Sequence, residues 1–362
     1  MSEPRKTAGP QDAPPQTAAG PQVVTTALKW VGGVTAVLSL VFGLNQLVGL
    51  VSSHRQRDLK VKELLKTSEM QEQARDYAAA WSGVEEADRL TQGGREVRAA
   101  QESLAMVWLE NASVLDQQKF SDIVGKLTPV LDRAASTAQG ERKADLLAHL
   151  GWAEFLRSRD GFAGLVPDDF YRQALKIDPQ NPYAHAMLGH WDLWNGGRVG
   201  EARDQFALAL ASGREHDYVR RLQLAGLEGL HSVEGEVELI RVINDMRKNG
   251  EQVDSGTRDA VWFLYDSDLD PESIRRQPLL AALPPAEQLA TFTWLFDNAD
   301  FDPSRAWIRD FYRAILQEEA GQRTEALQTL RSVRSRLPYA AVPRIRNEVE
   351  KGIARLSKAG AR

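Results

Sequence analysis

The sequence contains no cysteine. Disulfides, thiolate metal sites and cysteine nucleophiles are excluded by that fact alone. The absence fits an oxidising or a reducing compartment equally well. Basic charge is not in excess either: 45 Lys and Arg stand against 50 Asp and Glu, a formal net charge of −5. A nucleic-acid partner would favour a basic patch or stripe, so none is expected. Strand signals are missing too. There is no sustained alternation of apolar and polar residues and no Asn-Gly hairpin turn. Phosphate-binding and nucleophile-elbow glycine motifs do not occur. Gly196-Gly197-Arg198-Val199-Gly200 is glycine-rich but falls at a turn between two helical stretches.

Histidine offers little more. Of six, His185 and His190 lie five apart, which does not place them on one helical face as a spacing of four would. Carboxylates alternate with Arg and Lys along solvated faces, and no acid–base pair stands out. The expectation is a protein that is not an enzyme and holds no metal or cofactor.

The 362 residues are 43% apolar and 26% charged, ordinary values for a folded chain. Residues 1–22 carry Pro4, Pro10, Pro14, Pro15 and Pro21 among Gln, Ala and Gly. Such a stretch buries too little to offset its ordering entropy and reads as a disordered tail. Residues 23–52 read as a transmembrane helix. Its core, Trp30 to Val51, runs 22 residues without a formal charge, which spans about 30 Å of hydrocarbon as a helix. It is too long for a signal peptide and lacks a charged face for a soluble helix.

Gly32, Ala36, Ser39 and Gly43 recur at spacings of four, three and four, and Gln46 continues the stripe. Small residues in a stripe let two membrane helices approach closely, so homo-oligomerisation through this helix is an expectation. Orientation is read from the flanks. Arg55, Arg57, Lys60, Lys62 and Lys66 follow the helix, whereas only Lys29 precedes it within the same reach. The basic side stays in the cytoplasm. The expected location is therefore the inner (cytoplasmic) membrane, with the large C-terminal part cytoplasmic. The opposite topology stays open, because long domains cross regardless of such charges.

The remainder reads as helix throughout, so the fold class is all-α. Its most regular stretch is Phe170–Gly213. Ala174 and Pro179 close one helical pair, and Leu188-Gly189, Gly196, Ala202, Phe206 and Ala209 mark the next. Small Gly189 and Ala202 would let two antiparallel helices touch, Phe206 would fill the gap to a neighbour, and Pro179 would stop one helix. These positions resemble the tetratricopeptide repeat (TPR) family, which implies a solenoid of helical hairpins.

Further copies are weaker. Tyr77, Ala80, Val84 and Ala87 match the second helix of a unit beginning near Val61, within a juxtamembrane helix and first unit over 53–95. The array covers 96–250, with Leu147, Leu150, Gly151 and Trp152 on the first helix of the unit that Ala174 closes. Val97–Thr137 and Tyr218–Gly250 read as degenerate pairs. Residues 251–300 are helical but off-pattern, with helix starts at DPES (Pro271) and LPPAEQ (Pro285). Residues 301–362 hold a last unit, with Trp307, Phe311, Gly321, Ala326, Leu330 and Pro338. A capping helix over Val342–Leu356 places Ile345, Val349, Ile353 and Leu356 on one face.

The resemblance implies a partner groove lined by each unit's first helix. Aligning the units puts Trp152, Phe155, Tyr183, His190 and Trp194 there, an aromatic lining suited to a protein or peptide with apolar anchors. Packing between units is the competing reading of the same aromatics. Some members of the family clamp a C-terminal carboxylate with Lys and Asn; this chain has Ala148 and Ala186 at those places. The expected function is a membrane-tethered scaffold or adaptor. Envelope assembly or secretion with the repeats outside the cytoplasm, and signalling through membrane-helix oligomerisation, stay open beside it.

Overall fold

A computed structural model of the chain describes residues 54–113, 118–162, 166–266, 278–297, 303–338 and 343–359. The expected tail and the expected membrane helix, including Gly32, Ala36, Ser39 and Gly43, lie outside these residues. Among the described residues all regular structure is helical, and no helix is long and apolar enough to cross a membrane. The chain divides into two compact units between Leu104 and Ala105.

The first unit contains α1 (54–73), α2 (Tyr77–Thr91) and the start of α3 (Arg95–Asn111). Asp76 caps α2 by accepting a hydrogen bond from the Ala79 amide at 3.1 Å. Ala80, Trp81, Val84 and Ala87 bury the spacing expected for one helical face. A Cβ at Gly83 would collide with the Ser68 hydroxyl of α1, so glycine permits this crossing.

The second unit holds the rest of α3, then α4 (Phe120–Thr137), α5 (Gly140–Arg159), α6 (Pro167–Ile177), α7 (Pro182–Trp194) and α8 (Val199–Ala211). After these come α9 (His216–Leu230), α10 (Val233–Asn249) and α11 (Ser255–Asp266). Neighbours in sequence form hairpins: α5 packs on α6, α7 on α8, and α9 on α10. The first helices of these hairpins also pack on one another, α5 on α7 and α7 on α9. This is a row of stacked helical hairpins.

Glycine sets the close crossings. A Cβ on Gly189 would stand 3.1 Å from the Phe206 ring and 3.2 Å from the Ala202 carbonyl. Gly189, Ala202 and Phe206 thus hold the α7–α8 hairpin in the way their spacing suggested. Gly226 of α9 meets Leu193 of α7 in the same manner, with a Cβ placed 2.8 Å from Cδ1. The α7 start is built by Asn181 and Pro182. The fully buried Asn181 accepts from the Ala184 amide at 2.9 Å and donates to Asp145 at 2.6 Å, which ties the turn to α5. Proline at the first helical position forfeits no bond, since that amide has no partner within the helix.

Beyond α11 come a short helical turn α12 (Pro278–Ala281), α13 (Pro285–Phe296), a 3₁₀ turn (Pro303–Arg305), α14 (Ala306–Glu319), α15 (Arg323–Arg336) and α16 (Pro343–Ala359). The stretch expected to be off-pattern is an aromatic core. Tyr265 of α11 meets Phe292 of α13 at 5.2 Å and Tyr312 of α14 at 5.7 Å, both edge to face. Pro285 starts α13 as its sequence indicates, whereas Pro271 lies outside the described residues. The final helix buries Ile345, Val349 and Leu356.

Candidate functional site

The five aromatic residues picked from the sequence separate into two groups. Trp152, Phe155, His190 and Trp194 form one cluster. Trp152 and Phe155 are 4.7 Å apart by ring centroid, His190 lies 5.1 Å from each, and Trp194 lies 5.6 Å from Phe155. Trp152, Phe155 and His190 are buried, and the Trp152 indole donates to the Leu109 carbonyl at 3.0 Å. These three do not line an open groove; they pack between α3, α5 and α7. Trp194 is 52% exposed and carries the Arg159 guanidinium 4.5 Å above its ring. Ala148 and Ala186 are fully buried and face no partner surface.

The physical reason is enclosure. Helix α5 is packed against α4, α6 and α7. It buries Ala144, Leu146, Ala148, His149, Leu150, Gly151, Trp152, Ala153, Phe155 and Leu156, residues that run around much of the cylinder. No single stripe on such a helix belongs to solvent.

His190 sits in this cluster with its Nδ1 buried and without a hydrogen bond. Burial, reinforced by the Arg159 charge, holds its imidazole at about 4, well below the ordinary histidine value. The ring is neutral at neutral pH. His185 is structural as well: its Nδ1 faces Gln205 at 2.7 Å and its Nε2 faces the Pro179 carbonyl at 3.0 Å.

Tyr183 belongs to a second group. Its ring lies 4.7 Å from His149 of α5 and 5.2 Å from Tyr218 of α9. His149 Nε2 meets Glu110 of α3 at 2.8 Å, and its Nδ1 meets the Asp145 carbonyl at 2.7 Å. Arg221 lies over the Tyr218 ring at 5.5 Å, and its guanidinium reaches Asn111 of α3 at 3.4 Å. The first helices α5, α7 and α9 and the end of α3 therefore contribute side chains to one polar, aromatic face: His149 and Tyr218 are buried beneath it, Glu110 and Tyr183 are half-buried, and Arg221 is exposed. Burial, followed by the carboxylates of Glu110, Glu215 and Asp145, pushes the Tyr183 hydroxyl well above the usual phenol range. It acts as a neutral hydrogen-bonding group.

Sequence reasoning picked Tyr183 from this face and missed Glu110, His149, Tyr218 and Arg221. The aromatic spacing carried Tyr183. The others are brought together across 39 residues (Glu110 with His149) and 110 residues (Asn111 with Arg221), and no local period encodes such pairs.

Among the described residues no group of three or more His, Asp or Glu is arranged to hold a metal ion. The hydrogen bonds recorded for this face, from His149 to Glu110 and from Arg221 to Asn111, join its own side chains.

No family model matches the chain, and no curated protein matches it. Among solved structures, it is similar to a tetratricopeptide repeat protein from Parabacteroides merdae ATCC 43184. The identity is 11%, covering 82% of this chain and 99% of that one, with a TM-score of 0.38.

Proposed function

We propose that this protein is a membrane-tethered scaffold of the tetratricopeptide type, whose stacked hairpins bind a protein or peptide partner. The observation that carries the reading is the face where exposed Arg221 and half-buried Glu110 and Tyr183 lie against the buried His149 and Tyr218. Its accessible groups come from α3, α7 and α9, so an extended ligand can touch several hairpins at once. The recurring glycines at Gly151, Gly189 and Gly226 support the repeat assignment, because each permits a close crossing to a neighbouring helix.

The tether rests on the uncharged run Trp30–Val51. The basic flank from Arg55 to Lys66 favours a cytoplasmic array. Self-association through Gly32, Ala36, Ser39 and Gly43 is part of the same reading.

The test is alkaline carbonate extraction of membranes from cells making the full chain or a chain lacking residues 30–51. The full chain stays with the membrane pellet and the shortened one is released. Release of both would remove the tether from the reading.

A further inference from the structure

Outside the first-helix face, an open cleft of about 800 Å³ lies between α6 and α8, with α7 as its floor. Its size falls within the range of about 300–1,000 Å³ common for ligand sites. The two walls are clasped at one end, where Arg214, following α8, donates to Asp178, following α6, at 2.9 Å. Toward the helix N-termini no hydrogen bond or ion pair among the described residues joins them. The next equivalent gap is shut: Arg203 of α8 forks onto Glu238 of α10 with two bonds of 2.6 Å. The α6–α8 cleft differs from the α8–α10 gap in lacking such a fork.

The lining is mixed in polarity and unbalanced in charge. Leu188 and the half-buried Trp191 give an apolar floor, and the exposed Val166 gives an apolar rim. Asp168 is answered within α6 by Arg172 at 3.4 Å. One guanidinium, Arg198, is shared by Asp192 and by Glu201, the latter at 2.8 Å. Asp204 adds a fourth carboxylate against these two cations.

We infer that the α6–α8 cleft is a second docking site, one that takes a peptide segment of a partner carrying Arg or Lys beside an apolar side chain. The cation lies between Asp204 and the Trp191 ring, and the apolar neighbour rests on Leu188 and Val166. The inference deepens the scaffold reading and rests on it. It uses a surface that the first-helix face does not share.

The experiment is fluorescence anisotropy with the full chain in detergent at physiological ionic strength. The probes are a fluorescein-labelled octapeptide of alternating Arg and Leu and its Glu–Leu counterpart. The cleft variants are Asp204→Lys and Arg172→Glu, both at exposed positions that leave folding intact; Glu325→Lys on α15 controls for net charge. The Arg–Leu peptide binds, the Glu–Leu peptide does not. Asp204→Lys weakens binding at least tenfold, Arg172→Glu strengthens it, and Glu325→Lys changes it less than twofold. No binding of the Arg–Leu peptide, equal binding of both peptides, or an equal loss in Glu325→Lys and Asp204→Lys overturns the site. The scaffold reading is tested separately by crosslinking at position 221, so either can fail while the other stands.

Discussion

Gly151 of α5 lies so close to Tyr171 of α6 that a Cβ at 151 would stand 2.6 Å from the tyrosine ring and 2.9 Å from the Pro167 carbonyl. Tyr171 is fully buried, so the ring has nowhere to retreat. Gly151→Ala should therefore destabilise the second unit by about 1–3 kcal/mol, the usual cost of overpacking. Gly125 of α4 is exposed and meets nothing within 4 Å. Gly125→Ala should instead stabilise by about 0.5–1 kcal/mol through helix propensity. Urea denaturation of the two variants separates the outcomes by sign.

His190 predicts a pH dependence. Its folded-state value, about 4, lies below the value of about 6.5 expected in the unfolded chain. As pH falls, the unfolded chain takes up the proton first. Stability present above about pH 6.5 is then lost on the way down to about 4, by about 3 kcal/mol in total. His190→Leu removes the proton site and leaves no hydrogen bond broken at Nδ1. Its melting temperature should fall less between pH 7 and pH 5 than that of the parent. An equal fall in both would place the acid sensitivity elsewhere.

The Arg203–Glu238 fork predicts an unequal response among ion pairs. Glu238 has a side chain only 5% exposed. Arg203→Ala leaves that carboxylate without its fork and should cost about 1–3 kcal/mol. Arg89 and Glu86, on α2, form a surface pair at 2.8 Å, with side chains 71% and 38% exposed. Arg89→Ala should cost no more than about 1 kcal/mol. Denaturation midpoints for the two variants check the difference.

Much of the fold was legible because local rules and packing agreed. Pro179 follows the end of a helix and Pro285 begins one, the Gly189–Ala202–Phe206 spacing builds a hairpin, and Ile345, Val349 and Leu356 bury one face of the last helix. The aromatic site was less legible. Trp152 and Phe155 sit on a helix enclosed by several neighbours, so their spacing could not tell a core face from a binding face. The polar face depended on long-range partners, such as Asn111 and Arg221, whose pairing exists only after the hairpins stack.

The central claim is that the first-helix face binds a partner. Its most direct test is photocrosslinking in intact cells, with a photoreactive amino acid placed at Arg221 on that face or at the exposed Arg331 on α15. The account predicts a discrete adduct from position 221 that is absent from position 331 and is lost when Tyr183→Ala is added. The same products from both positions, or no adduct at 221, would contradict it.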